Sequence, residues 1–355
     1  MATTKVKELL ILLGALALTG SVAGFAVWQV TERWLFPREG TVQEQEQIET
    51  ALGTERDNPW SKIALAFTLS GHTDEVNALA INSGGNLLVS GGDDQTLFFW
   101  DLDRATLLGQ GKGHQDWIYS LAMAPDGATV ASGSKDNTIK LWNMDTYQAV
   151  ATLSGHQDFV NSIVFSPDGS TLASASYDHT IKLWDVASQQ ERATLRGHEG
   201  IVLAAAISPN GRYLATGGVD TLIRLWDIEN ERLLRIFEGH TSDVNSLAFS
   251  PDNQQLVSGS DGDGIKVWQL SSGEMLHQFG QEGGQVFAVA FSPDGQAIAS
   301  GHGDQTVKIW NRSGELLRNL KGHAGSVYAT IFSADQLLTS SEDSTVKVWR
   351  IFPND

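Results

Sequence analysis

Tryptophan recurs at Trp100, Trp142, Trp184, Trp226, Trp268 and Trp310, each 42 residues from the last, and Trp349 follows after a shortened interval of 39. A period of that length over seven copies restricts the fold more than any overall composition can. One copy is too short to bury a core alone, so the copies must stack and share one. Other landmarks keep the same step. A Gly-His pair sets its histidine 28 residues before the first five tryptophans, at His72, His114, His156, His198 and His240, and His323 opens the seventh copy. Ten residues before each tryptophan stands a hydroxyl, at Ser90, Ser132, Ser174, Thr216, Ser258, Ser300 and Thr339. Six before it stand Asp94, Asp136, Asp178, Asp220, Asp304 and Asp343.

Between the landmarks run short alternating stretches such as "NSIVFS" and "TIKLW", the pattern of half-buried strands. Most of the 36 glycines fall in turn clusters at regular distances, and Pro125, Pro167, Pro209, Pro251 and Pro293 open tight turns of the Pro-Asp-Gly kind. Many short strands with frequent reversals make the chain all-β.

Gly-His, then Ser/Thr, Asp and Trp at a period of 42 resemble the WD40 repeat over about residues 62–352. The resemblance implies a seven-bladed β-propeller of four-stranded blades, with each copy's His, Ser/Thr, Asp and Trp in a buried tetrad. Side-chain chemistry supports such a network: the indole N–H needs an acceptor, a hydroxyl accepts it and donates to imidazole, and a carboxylate holds the imidazole. Two adjacent copies depart from the pattern. In the fifth, "SGSDGDGIKVW" puts Gly262 where Asp is expected, between Asp261 and Asp263; in the sixth, Gln281 and Glu282 replace Gly-His. Those tetrads are in doubt, which marks blades five and six as the most mobile. The resemblance also implies that Ile63–Leu69 closes the ring as the outer strand of the last blade, which otherwise ends three strands in.

Leu9 to Val30 carries no charge, and 22 helical residues reach roughly 33 Å, enough to cross the hydrocarbon core. The apolar run continues past the cleavage-like Ala15-Leu16-Ala17, which favours an uncleaved anchor over a signal peptide. The expected organisation is a tail over 1–8, a single transmembrane helix over 9–30, an acidic polar linker over 31–61, the propeller over 62–352 and a tail over 353–355. Lys5 and Lys7 give a slight positive-inside bias that leans the propeller to the extracytoplasmic side.

The formal net charge is −18, and the acid excess lies mainly beyond residue 61, so no nucleic acid is expected as a ligand. There is no cysteine, which excludes disulfides, thiolate catalysis and Cys-ligated zinc. Six of the nine histidines belong to Gly-His pairs, and no metal-ligand spacing links His179, His277 and His302. "GQGKGH" at 109–114 lacks the remaining residues of a phosphate-binding loop, and no Gly-x-Ser-x-Gly elbow occurs. No cofactor, metal or catalytic residue is nominated.

Binding is the expected activity. On the face that the family fold assigns to the Gly-His loops, three positions per blade vary: the residue before the turn Asp, and the two flanking the Val or Ile that starts the inner strand. Around the ring, Trp117, Tyr119, Phe159, Tyr177, Ile201, Leu203 and Val219 fall in consecutive blades two to four and make one apolar, aromatic arc, rimmed by Glu75, Asp93, Asp243 and Asp261. Such an arc has the make-up of a protein interface. The chain therefore reads as a noncatalytic membrane-tethered scaffold for other proteins, the alternative being a propeller enzyme or ligand-binding sensor acting at the central channel.

Overall fold

A computed structural model describes residues 59–351 apart from 282, 283 and 334. Among the described residues 28 strands, numbered β1 to β28 in chain order, form seven four-stranded antiparallel sheets. Six sheets each use four consecutive strands. The seventh takes β26 (Val327–Ser333), β27 (Gln336–Ser341) and β28 (Thr345–Ile351) from the end of the chain and β1 (Ile63–Ser70) from its beginning, with Ile63 opposite Ile351 and Ser70 opposite Thr345. The first strand of each blade is its innermost, and β2 (Val76–Ile81), β6 (Ile118–Met123), β10 (Val160–Phe165), β14 (Val202–Ile207), β18 (Val244–Phe249), β22 (Val286–Phe291) and β26 touch one another in a closed cycle. The architecture is a seven-bladed all-β propeller.

The middle strands are buried at nearly every position, as along Thr96–Asp101 and Thr171–Ser176, so each sheet is covered on both faces. Seven separate core clusters supply that cover, each lying between neighbouring blades. Val89, Leu97 and Phe99 of blade one pack on Ile118, Val130 and Trp142 of blade two, and the same layer repeats around the ring. The closing layer joins both ends of the chain, with Leu69 of β1 packed among Leu88, Trp100, Leu338, Val346 and Val348. The repeated tryptophan therefore sits between blades and not within one. Its ring tip lies under the glycine of its own Gly-His pair: a Cβ on Gly155 would stand 3.0 Å from the Trp184 ring.

The closing strand starts at Ile63 as expected, but ordered structure begins before it. Pro59–Lys62 forms one turn of 3-10 helix, and Trp60 is buried in the layer of blades six and seven against Ala297, Leu320 and Trp349. Its carbonyl accepts a bond from Arg318 Nε at 3.0 Å, and its ring meets Phe332 edge-on at 5.5 Å. Trp60 and Lys62 thus belong to the propeller, and the expected solvated linker gives way by residue 59. The span expected at 9–30, the tail before it and the rest of the linker lie outside the described residues. So do residues 353–355. Among the described residues no helix is long and apolar enough to cross a membrane.

Candidate functional site

In five blades the four repeated side chains form the same chain of bonds. In blade three the Trp184 indole N–H donates to Ser174 Oγ at 2.8 Å, the hydroxyl meets His156 Nε2 at 2.7 Å, and Nδ1 donates to Asp178 at 2.8 Å. Blade one uses Trp100, Ser90, His72 and Asp94. Blade two uses Trp142, Ser132, His114 and Asp136, blade four Trp226, Thr216, His198 and Asp220, and blade seven Trp349, Thr339, His323 and Asp343. Burial pushes the Asp178 carboxyl up, but bonds from His156, Thr180 and the Gln157 amide outweigh it and hold the group well below the usual carboxylate range. Ser174, Asp178 and Trp184 are framework. His179 is the exposed left-handed turn residue beside them, at φ 67°.

The two departures are met in different ways. In blade five the turn is recast by one residue, so that Gly264 takes the left-handed position at φ 73° where an added Cβ would lie 2.5 Å from the Phe279 carbonyl. The shift delivers Asp263 to His240 Nδ1 at 3.3 Å and to the Thr241 amide and hydroxyl, while His240 Nε2, Ser258 and Trp268 keep their usual bonds. The doubt that Gly262 cast on this tetrad is resolved by Asp263.

In blade six the missing loop histidine is replaced from inside the sheet. His302, the last residue of β23 (Ala297–His302), is fully buried and reaches Ser300 Oγ with Nε2 at 2.7 Å, and Trp310 donates to the same oxygen at 2.8 Å. His302 thus acts from within a strand. Its Nδ1 has no hydrogen-bond partner among the described residues, because Asp304 is turned to Lys308 Nζ at 2.9 Å and to Thr306. Burial, reinforced by the Lys308 charge against a smaller pull from Asp304, drives the His302 imidazole down to about 4.

At the end of the ring that carries the Gly-His loops, backbone geometry gathers the three variable positions of each blade. The residue before the turn Asp donates its amide to the carbonyl of the residue before the inner strand: Lys135 to Trp117 at 2.9 Å, Tyr177 to Phe159 at 2.9 Å, Val219 to Ile201 at 3.0 Å and Asp93 to Glu75 at 3.0 Å. The third position is a β-bulge. Pairing with the next strand slips at Asn77, Tyr119, Asn161, Leu203, Asn245, Phe287 and Tyr328, one per inner strand. A bulge inserts one unpaired residue and re-aims its side chain. Asparagine uses the freedom to staple blades: Asn77 Nδ2 donates to the Ile118 carbonyl at 3.1 Å, Asn161 to Leu203 at 2.7 Å and Asn245 to Val286 at 3.2 Å.

The expected aromatic residues are brought together. Trp117 meets Tyr119 edge-on at 6.3 Å, Tyr119 lies 6.3 Å from Phe159, and Phe159 lies 5.1 Å from Tyr177. Trp117 is 37% exposed and Val219 40%, with Tyr119, Phe159, Tyr177, Ile201 and Leu203 half-buried. The Asp116 and Asp158 carboxylates accept the amides of Trp117 and Phe159 at 2.9 and 2.8 Å, which fixes where those rings emerge. One member was missing from the sequence reading: Lys135 lays its ammonium 3.6 Å from the Trp117 ring centre and 5.5 Å from that of Phe159. Its place before Asp136 was visible in the repeat, but its direction was not.

The flanks are acidic. Burial raises the Glu75 carboxyl, and Asp93, Glu342 and Asp74 add to the rise against a bond from the Tyr328 hydroxyl. Burial likewise raises Asp93, where the Asn77 bond and Lys135 work against the charges of Asp74 and Asp116. Asp243 is raised by burial and by Asp261. Among the described residues no group of three or more His, Asp or Glu side chains is placed to hold a metal ion.

Seven four-stranded blades, a closed ring and this tetrad are now joined by comparison with known families. The model of the IFT122 first beta-propeller matches residues 159–353, more than half of the chain, and that of the WD domain, G-beta repeat, matches residues 64–101 and 105–143. The chain belongs to this family of WD40 propellers. No curated protein matches it. WD40 propellers generally bind other proteins, and in this one four aromatic side chains at variable rim positions form a contact chain across blades two and three.

Proposed function

We propose that this WD40 propeller is a noncatalytic scaffold that docks a protein partner on the arc of Trp117, Tyr119, Phe159, Tyr177, Ile201, Leu203 and Val219, and that residues 9–30 tether it to a membrane with the propeller outside the cytoplasm. The observation that carries the docking reading is the contact chain of four rings, two of which, Trp117 and Phe159, have their backbones pinned by Asp116 and Asp158, with Trp117 left 37% exposed. A part-exposed Trp among rigid aromatic neighbours has the character of an interface anchor. The uncharged length of the N-terminal segment supports the tether.

Crosslinking in intact membranes tests the docking site. The Trp117→Ala, Tyr177→Ala double variant loses the partner, whereas Val150→Ala, 60% exposed on an outer strand, keeps it. A partner retained by the double variant refutes the site. Alkaline extraction and protease shaving of intact cells test the tether and its side: a chain released from the membrane, or a propeller shielded in intact cells, overturns the corresponding part.

A further inference from the structure

Across the three rim positions of the seven blades five residues are carboxylates, and Lys135 is the single cation. It is not spent on a tight ion pair. Its carboxylate partner, Asp116, stands 3.8 Å away, beyond hydrogen-bond length, while the Trp117 ring face is at 3.6 Å. The Lys135 side chain is 25% exposed and that of Asp116 38%. An ammonium over an indole gains only about 0.5–1 kcal/mol at an exposed site. It can therefore leave for water with little loss.

We propose that Lys135 fills a cation seat of the chain's own, and that the partner docking on blades two to four brings a basic segment whose arginine or lysine takes that seat over Trp117. This rests on the docking reading above and specifies the chemistry of the partner. Charge complementarity carries it. Asp116 accepts the Trp117 amide at 2.9 Å and Asp158 the Phe159 amide at 2.8 Å, so carboxylates stand beside the rings of both blades, and the Asp93 and Asp243 charges bear on Tyr119 and Tyr177. An acidic partner would meet carboxylates in both blades, and like charges brought together across an interface are unfavourable. A guanidinium fits the seat better than the resident ammonium, because it is planar, stacks on aromatic faces and is more weakly hydrated. When it enters, Lys135 swings out and regains solvent.

The test uses the full chain in a neutral detergent, titrated with fluorescent hexa-arginine and hexa-glutamate peptides at near-physiological salt. Lys135→Met empties the seat of its cation and is expected to tighten hexa-arginine binding about 2- to 5-fold, the scale of one exposed cation–π contact. Lys135→Arg, which holds the seat more firmly, weakens it. Adding Trp117→Leu to Lys135→Met changes no charge and abolishes the gain. Unchanged or weaker binding by Lys135→Met overturns the proposal, as does equal binding of hexa-glutamate. So does a gain that survives Trp117→Leu, which would mark a nonspecific pull of the net charge. The docking reading fails separately, when the crosslinked partner persists in the Trp117→Ala, Tyr177→Ala variant. A partner lost there but indifferent to both Lys135 variants keeps the site and sinks the seat.

Discussion

Replacing His302 by leucine should cost little near pH 8 and flatten the acid response of the whole protein. The imidazole is fully buried, with one nitrogen bonded to Ser300 and the other without a partner among the described residues. Removing the Ser300 bond loses about 1 kcal/mol, and removing an orphaned buried nitrogen recovers about 1–3 kcal/mol. Leucine has nearly the same volume. Ser300 keeps the Trp310 N–H and can turn its hydroxyl to the Lys308 carbonyl, 3.4 Å away. The net change at pH 8 lies between nil and about 2 kcal/mol in favour of the variant by these opposing amounts. His156→Leu in blade three differs, because it strips a partner from the buried Asp178 as well as from Ser174, and it should cost about 3 kcal/mol or more.

The pH response separates the two readings further. His302 falls from the usual 6.5 to about 4 on folding. Between those values the unfolded chain binds a proton that the folded chain refuses, so stability is complete above 6.5 and is lost as pH falls toward 4. At pH 5 the loss is about 2 kcal/mol relative to pH 8. His240, lowered to about 4 by burial and then by Lys266, contributes a similar fall. Urea denaturation followed by tryptophan fluorescence at pH 8 and pH 5 gives the differences directly. The wild type should lose about 2 kcal/mol more than His302→Leu over that interval. Equal losses in the two proteins, or a cost at pH 8 matching that of His156→Leu, would refute the assignment.

Three further outcomes are expected. Deleting residues 62–70 removes β1 and leaves blade seven with three strands and an open edge, which should lower the melting temperature by roughly 10 °C or more; an unchanged melting curve would show that the closing strand is dispensable. Asp263→Asn should destabilise by about 2 kcal/mol, because it weakens bonds to His240 and Thr241, whereas Asp261→Asn loses mainly a bond from Asn245 and eases its repulsion with Asp243; equal effects in chemical denaturation would return blade five to a broken tetrad. Asn161→Ala frees the Leu203 carbonyl and should cost about 1 kcal/mol, with faster amide exchange confined to blades three and four; uniform exchange around the ring would argue against the staple.

The ring, its number of blades and its shared tetrads were legible because they repeat, and repetition averages out the accidents of any one copy. What repeats cannot reveal is a substitution solved once. Asp263 was in view on one side of Gly262, but only the turn geometry around Gly264 shows which carboxylate arrives at His240. His302 replaces a loop histidine by approaching Ser300 from within its own strand, so no spacing from Trp310 marks it. Trp60 occurs outside the period and reads as linker until its pocket between blades is seen. At the rim the periodic positions identified the aromatic arc, and the bulge at Tyr119 and Leu203 explains why those positions escape the core. The direction of the Lys135 side chain had to come from the fold, because long side chains choose their path by what surrounds them.

The burial of Trp60 has a mechanical consequence. A pull on the chain from upstream of Pro59 reaches the 3-10 turn before it reaches β1, and there it meets an indole wedged between blades six and seven and a carbonyl held by Arg318. The load is passed into two neighbouring blades before any rung of the β1 and β28 ladder is stretched. The ring thus carries its own strain relief at the point where the chain enters.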